Sequence, residues 1–175
     1  MTREEIEQQI AGWQDSNKLL GHFVQKPEEL EQLLAVVFDD SKKRNWVAAW
    51  ILDKINEQEP KLLKPVLPQI AVQVGKTANL SKLRHYLKIL SSHPVPTHLS
   101  GELFEQCFLI LTNPSFPVAI RVHAMQILYE VSQSEPDLKP ELIHLIENEM
   151  EIHSTPGIKS RGKRILTLLR KQTKR

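Results

Sequence analysis

Trp46 and Trp50, four residues apart, are the side chains in this sequence best suited to stacking. Residues at that spacing share one face of a helix, so the pair would present two neighbouring indoles. Such a platform stacks a nucleic-acid base or anchors a partner peptide. Exactly 38 residues later stand Arg84 and Lys88, which would set two cations beside it. A second candidate is cationic: Lys159, Arg161, Lys163 and Arg164 lie in a C-terminal stretch, residues 155–175, that holds 8 Lys/Arg and no acid. The remainder, residues 1–154, carries 15 bases against 21 acids, so an acidic body bears a basic end. That asymmetry points to an anionic ligand, with nucleic acid the obvious class. The competing use is a solvated face paired with the preceding acids Glu141, Glu147, Glu149 and Glu151.

Other chemistries lack their parts. His85 and His123 are also 38 residues apart, but zinc needs three or four converging ligands and no Cys or carboxylate spacing completes a set. Cys107, between Phe104, Phe108 and Leu111, reads as a packed thiol. Being the single cysteine, it has no disulfide partner, which suits a reducing compartment. Six scattered glycines build neither a phosphate-binding loop nor a nucleophile elbow. Asp39-Asp40 reads as a solvated turn at a helix end. The expectation is a protein without catalytic residues, cofactor or metal. The charged start, Met1 to Glu5, runs into no apolar stretch, and no window approaches the length of a membrane-spanning helix. A cytoplasmic protein that makes no use of a membrane is expected.

Four Ile-Leu dipeptides set the elements that must position these residues: Ile51-Leu52, Ile89-Leu90, Ile127-Leu128 and Ile165-Leu166, each 38 residues after the last. Four residues before each Leu stand Ala48, Tyr86, Ala124 and Gly162. Apolar side chains at those offsets share one helix face, and a small residue there lets a neighbouring helix come close. A second stripe recurs between the dipeptides: Val66/Ile70/Val74, Phe104/Phe108/Thr112 and Leu142/Ile146/Met150. The unit is therefore two antiparallel helices, A and B. Pro60, Pro94/Pro96 and Pro136 separate A from B, where proline cannot continue a helix. Asn79, Asn113-Pro114-Ser115 and Ser154-Thr155-Pro156 separate B from the next A, as turn and N-cap residues do. Before this array, the capping box Thr2-x-x-Glu5 opens a helix over residues 2–13, residues 16–25 add a short one, and Pro27 to Phe38 reads as a B helix.

The segments Asn45 to Leu52 and Val118 to Leu128 resemble A helices of HEAT or armadillo-like repeats, with Arg121-x-x-Ala124-x-x-x-Leu128 the best match. Pro136-Asp-Leu-Lys-Pro-Glu-Leu142 resembles the start of a B helix. The 38-residue period falls between about 34 for tetratricopeptide and about 40–47 for HEAT repeats. In one respect the sequence departs: HEAT repeats commonly carry a B-helix Arg or Lys that reaches an interhelical Asp, and the cores of these B helices contain neither base.

The resemblance implies an all-α, right-handed α-α superhelix of about eight to nine helices in one domain. Its parts are a divergent cap over residues 1–41, three helix pairs over 42–154 and a basic closing helix over 155–175. Terminal repeats of such arrays shield the core end, so the competing reading of Trp46 and Trp50 is that the cap, with Trp13, Phe23 and Phe38, folds over them. B helices line the concave side in this family. Gln69, Gln73, Glu105, Gln106, His144 and Glu147 are therefore the contact positions it implies. The function implied is a non-enzymatic binding or scaffold module for a protein or peptide. The alternative is a nucleic-acid-binding protein related in fold to HEAT-like DNA alkylpurine glycosylases. The acidic body argues against a long DNA footprint, which rests on many phosphate contacts.

Overall fold

The structure, a computed structural model, describes residues 1–12 and 16–173; Trp13, Lys174 and Arg175 lie outside the described residues. Every regular element among those residues is helical. The chain divides into two compact units, Met1–Ile89 and Leu90–Arg175.

The first unit begins with α1 (Arg3–Gly12) and α2 (Ser16–Gln25). The capping box is present at the start of α1: the Thr2 amide donates to Glu5 Oε2 at 2.7 Å, and the Glu5 amide donates to Thr2 Oγ1 at 3.3 Å. A 3-10 turn, Pro27–Glu29, leads into α3 (Leu30–Val37). The first A helix is α4 (Trp46–Gln58). Its B partner is divided by a 3-10 turn, Lys64–Val66, into α5 (Pro60–Leu63) and α6 (Leu67–Val74). Pro65 and Pro68 lie at that division and supply no amide to continue the ladder. This split adds a short segment to the all-helical array read from the pattern. The unit closes with α7 (Leu80–Leu90), whose first amides are capped by Asn79 Oδ1, accepting from Ser81 and Lys82 at 3.0 and 3.2 Å.

The second unit contains α8 (Thr97–Thr112), α9 (Val118–Ser134), α10 (Lys139–Ile152) and α11 (Pro156–Thr173). Helix α9 packs along α8, α10 and α11. All four Ile-Leu dipeptides are buried, as are Ala48, Ala124 and Gly162 at the close-approach positions. At Gly162 an added Cβ would stand 2.9 Å from Met150 Cγ and 3.1 Å from Ile146 Cγ2, so glycine is what lets α11 lie this close to α10.

The second stripe follows its register in two helices and breaks it in the third. Val66, Ile70 and Val74 are buried, and so are Leu142 and Ile146, while Met150 at the end of that stripe is half-buried. In α8 the buried positions are instead Leu103, Cys107, Ile110 and Leu111, while Phe104, Phe108 and Thr112 are only half-buried. The expected stripe of α8 is thus corrected by one position, about 100° around the helix. Residues 103–111 contain seven apolar side chains, more than one stripe accommodates. The helix satisfies its core with the face toward α9 and leaves the two phenylalanines at its edge.

Candidate functional site

Helix α8 presents an apolar surface beside α10. The Phe104 and Phe108 rings stack with centroids 6.4 Å apart and planes 25° from parallel. Leu109 beside them is 60 % exposed. With Glu105 and Glu141 these residues line a hollow of about 390 Å³. A second hollow of about 400 Å³ also uses Phe104 and Glu105, with Gly101, Val131, Glu135 and Leu138 among its walls, and Asp137 at its edge. Both are open surface depressions floored by aromatic and aliphatic carbon. Their charged members are carboxylates, and none of Glu105, Glu135, Asp137 and Glu141 forms an ion pair among the described residues. Nothing in this arrangement supplies a nucleophile and base within reach of each other. What it can do is bury a partner's apolar side chain.

The tryptophan pair is neither bare nor sealed: Trp46 and Trp50 are both half-buried on α4, and α2 packs against that helix. Trp46 lines a depression of about 350 Å³ with Ala11, Gly12, Arg44 and Val47, and the Arg44 guanidinium donates to the Ala11 carbonyl. Of the proposed covering residues, Phe23 is fully buried and Phe38 packs edge-on against Tyr86 at 6.2 Å.

The two cations expected beside the indoles behave differently. Arg84 is exposed. Lys88 is committed to an ion network, donating to Asp53 Oδ2 at 2.9 Å and to Glu57 Oε1 at 2.5 Å. His85 Nδ1 lies 3.0 Å from the same Asp53 oxygen, and both residues are buried. Burial pushes the Asp53 carboxyl upward, but the bonds from His85 and Lys88 outweigh it and hold it below the usual carboxylate range. Burial likewise disfavours the Lys88 ammonium, and its bonds to Glu57 and Asp53 more than restore it. Asp53 Oδ1 is buried without a hydrogen-bond partner.

On α6, Gln69 is exposed and Gln73 half-buried. On α11, Lys159, Lys163 and Arg164 are exposed, with no acidic partner among the described residues. Arg161 is turned inward and donates to Gln126 Oε1 at 2.9 Å; burial, with Arg164 nearby, lowers its pKa. The acids of α10 only partly neutralise this helix: Glu147 takes Arg170, and Glu149 is used elsewhere.

Glu149 belongs to a feature the sequence pattern did not reveal. Arg121, 2 % exposed on α9, donates through Nε to the Leu111 carbonyl at 2.8 Å and through Nη2 to Glu149 on α10, itself 3 % exposed. His153 Nδ1 reaches the same carboxylate oxygen at 2.7 Å. The interhelical ion pair therefore exists, with the base on the A helix and the acid on the B helix. Asp39-Asp40 follows a helix end as expected and Asp40 is exposed, but both carboxylates are paired. Asp39 pairs with Arg3, and Asp40 accepts from the fully buried Lys82 ammonium at 2.7 Å. His85 lies against Asp53, and His123 Nδ1 lies 3.2 Å from Ser91 Oγ. Cys107 is buried, and burial pushes its thiol well above the usual range. The signal for the α8 surface was in the sequence, as an apolar run too wide for one buried stripe.

Among the described residues no group of three His, Cys, Asp or Glu could hold a metal ion, and no helix is long and apolar enough to cross a membrane. Neither a curated protein nor a solved structure matches the chain. The HEAT repeat domain matches residues 2–169, the span over which paired helices, buried Ile-Leu stripes and small close-approach residues were found, and the chain belongs to the HEAT repeat family.

Proposed function

We propose that this protein is a non-enzymatic binding module, and that it holds a segment of a partner protein on the surface formed by Phe104, Phe108 and Leu109. The observation that carries the reading is a stacked pair of half-buried phenylalanines beside a leucine 60 % exposed. Apolar anchors seated in such hollows supply most of the affinity in protein interfaces. In the first unit, the exposed Gln69 and half-buried Gln73 on α6 are a separate set of candidate contact positions. A lone buried cysteine and the absence of a membrane-spanning helix among the described residues support a cytoplasmic setting.

The test is a titration of the full chain with labelled peptides that differ only in one anchor residue, Leu, Phe or Ala, followed by fluorescence anisotropy. Binding by the Leu and Phe peptides, weakened about tenfold or more by Phe108→Ala, is the expected result. Equal affinity for the Ala peptide removes the reading.

A second reading rests on the exposed Lys159, Lys163 and Arg164, which have no acidic partner among the described residues. They support nucleic-acid binding through α11, and Trp46 and Trp50, in the first unit, are by themselves a candidate stacking platform for a base. Anisotropy with single- and double-stranded DNA across a salt series decides it: a flat response at low salt eliminates nucleic acid as a partner.

A further inference from the structure

The apolar surface of α8 is bordered by charge of one sign only. Glu105 and Glu141 line the first hollow, and Glu105, Glu135 and Asp137 border the second. All four carboxylates are exposed. None has a cationic partner among the described residues, and no Lys or Arg lines either hollow. Elsewhere in the second unit Glu149 is bound by Arg121 and His153, and Glu147 by Arg170, while Glu102, Glu130 and Glu151, which line neither hollow, also have no cationic partner among the described residues.

An unneutralised acidic rim around an apolar floor does two things to a ligand. The floor rewards burial of carbon without regard to charge. The rim repels an acidic partner and favours a basic one, by complementarity that governs specificity and rate of encounter more than total affinity. We infer that the partner segment presents a bulky apolar residue flanked by Lys or Arg, with the anchor against Phe104, Phe108 and Leu109 and the cations toward Glu105 and Glu141. This inference rests on the binding reading above and adds the charge of the ligand to it.

Three labelled peptides with one identical apolar core and Lys, Ser or Glu flanks separate the two claims. Each is titrated into the full chain at about 50 mM and about 300 mM salt, because rim charges are screened over that range. The expected order is Lys, then Ser, then Glu, with the Lys peptide about tenfold tighter than the Ser peptide at low salt and that advantage shrinking at high salt. Glu105→Lys with Glu141→Lys reverses the order, and since both side chains are exposed the helical circular dichroism stays unchanged. Phe104→Ala weakens all three peptides together.

Equal binding of the Lys and Ser peptides overturns the inference and leaves the apolar reading standing. Failure of all three to bind overturns both. Sedimentation of the chain alone supplies the remaining check. A concentration-dependent dimer abolished by Phe108→Ser would assign the surface to a second copy and overturn the inference as well.

Discussion

Arg121 and Asp53 show how much of this fold depends on single buried charges. Removing Arg121 leaves the Glu149 carboxylate buried with only His153. Arg121→Met is expected to cost about 3–5 kcal/mol, and Arg121→Met with Glu149→Leu far less, since loss of one partner is worse than loss of both. Urea midpoints of the two variants check this. Asp53 predicts a pH dependence. Its folded pKa lies below the ordinary value, so its contribution is complete above the unfolded carboxyl pKa of about 3.9 and disappears as pH falls through the folded value. Asp53→Asn should cost about 1.5–3 kcal/mol at neutral pH, the range for hydrogen bonds to a charged group. The gap between variant and parent should close on acidification, as followed by thermal midpoints from neutral pH downward. A gap that stays constant would mean that the network does not depend on the charge of Asp53.

The helices differ in how openly the sequence announces them. The buried stripes of α4, α7, α9 and α11 were legible because Ile-Leu recurs with an unchanged period and a residue that is mostly small lies four positions before each Leu. Gly162 was legible as a close-approach position for the same reason. Gly162→Ala gains about 1 kcal/mol of helix propensity but meets Met150 and Ile146, and overpacking of that kind costs about 1–3 kcal/mol. The net effect expected is destabilisation, smaller in a Met150→Ala background, read from denaturant midpoints. Helix α8 was misread because periodicity alone does not decide which of two adjacent apolar rows faces inward. Leu103/Cys107 and Phe104/Phe108 both keep helical spacing, and only packing against α9 chooses between them. The ion pairs were hidden for another reason: Arg121 with Glu149 and Lys82 with Asp40 join residues 28 and 42 positions apart, and no local pattern encodes such a partner.

For the molecule as a whole, family membership accounts for the packing and leaves the surfaces to be read on their own terms. The indoles are half-buried, and Lys88, one of the two cations expected beside them, is already paired. What the fold adds is a contrast within its second unit between an acid-rimmed apolar strip on α8 and α10 and an exposed cationic side on α11. Polyanions are expected to bind through α11 weakly, with a shallow salt slope, because few phosphate contacts are available. DNA titrations that show a steep slope would contradict this.

The division into units also gives the chain two built-in optical and chemical reporters. Its three tryptophans all precede residue 51, within the first unit, while Cys107 is buried in the second. Indole emission therefore follows one unit in a denaturation experiment. The rate at which a thiol reagent reaches Cys107, negligible in the native protein and fast once it opens, follows the other. Without any label, the same sample records whether the two cores are lost at one denaturant concentration or at two.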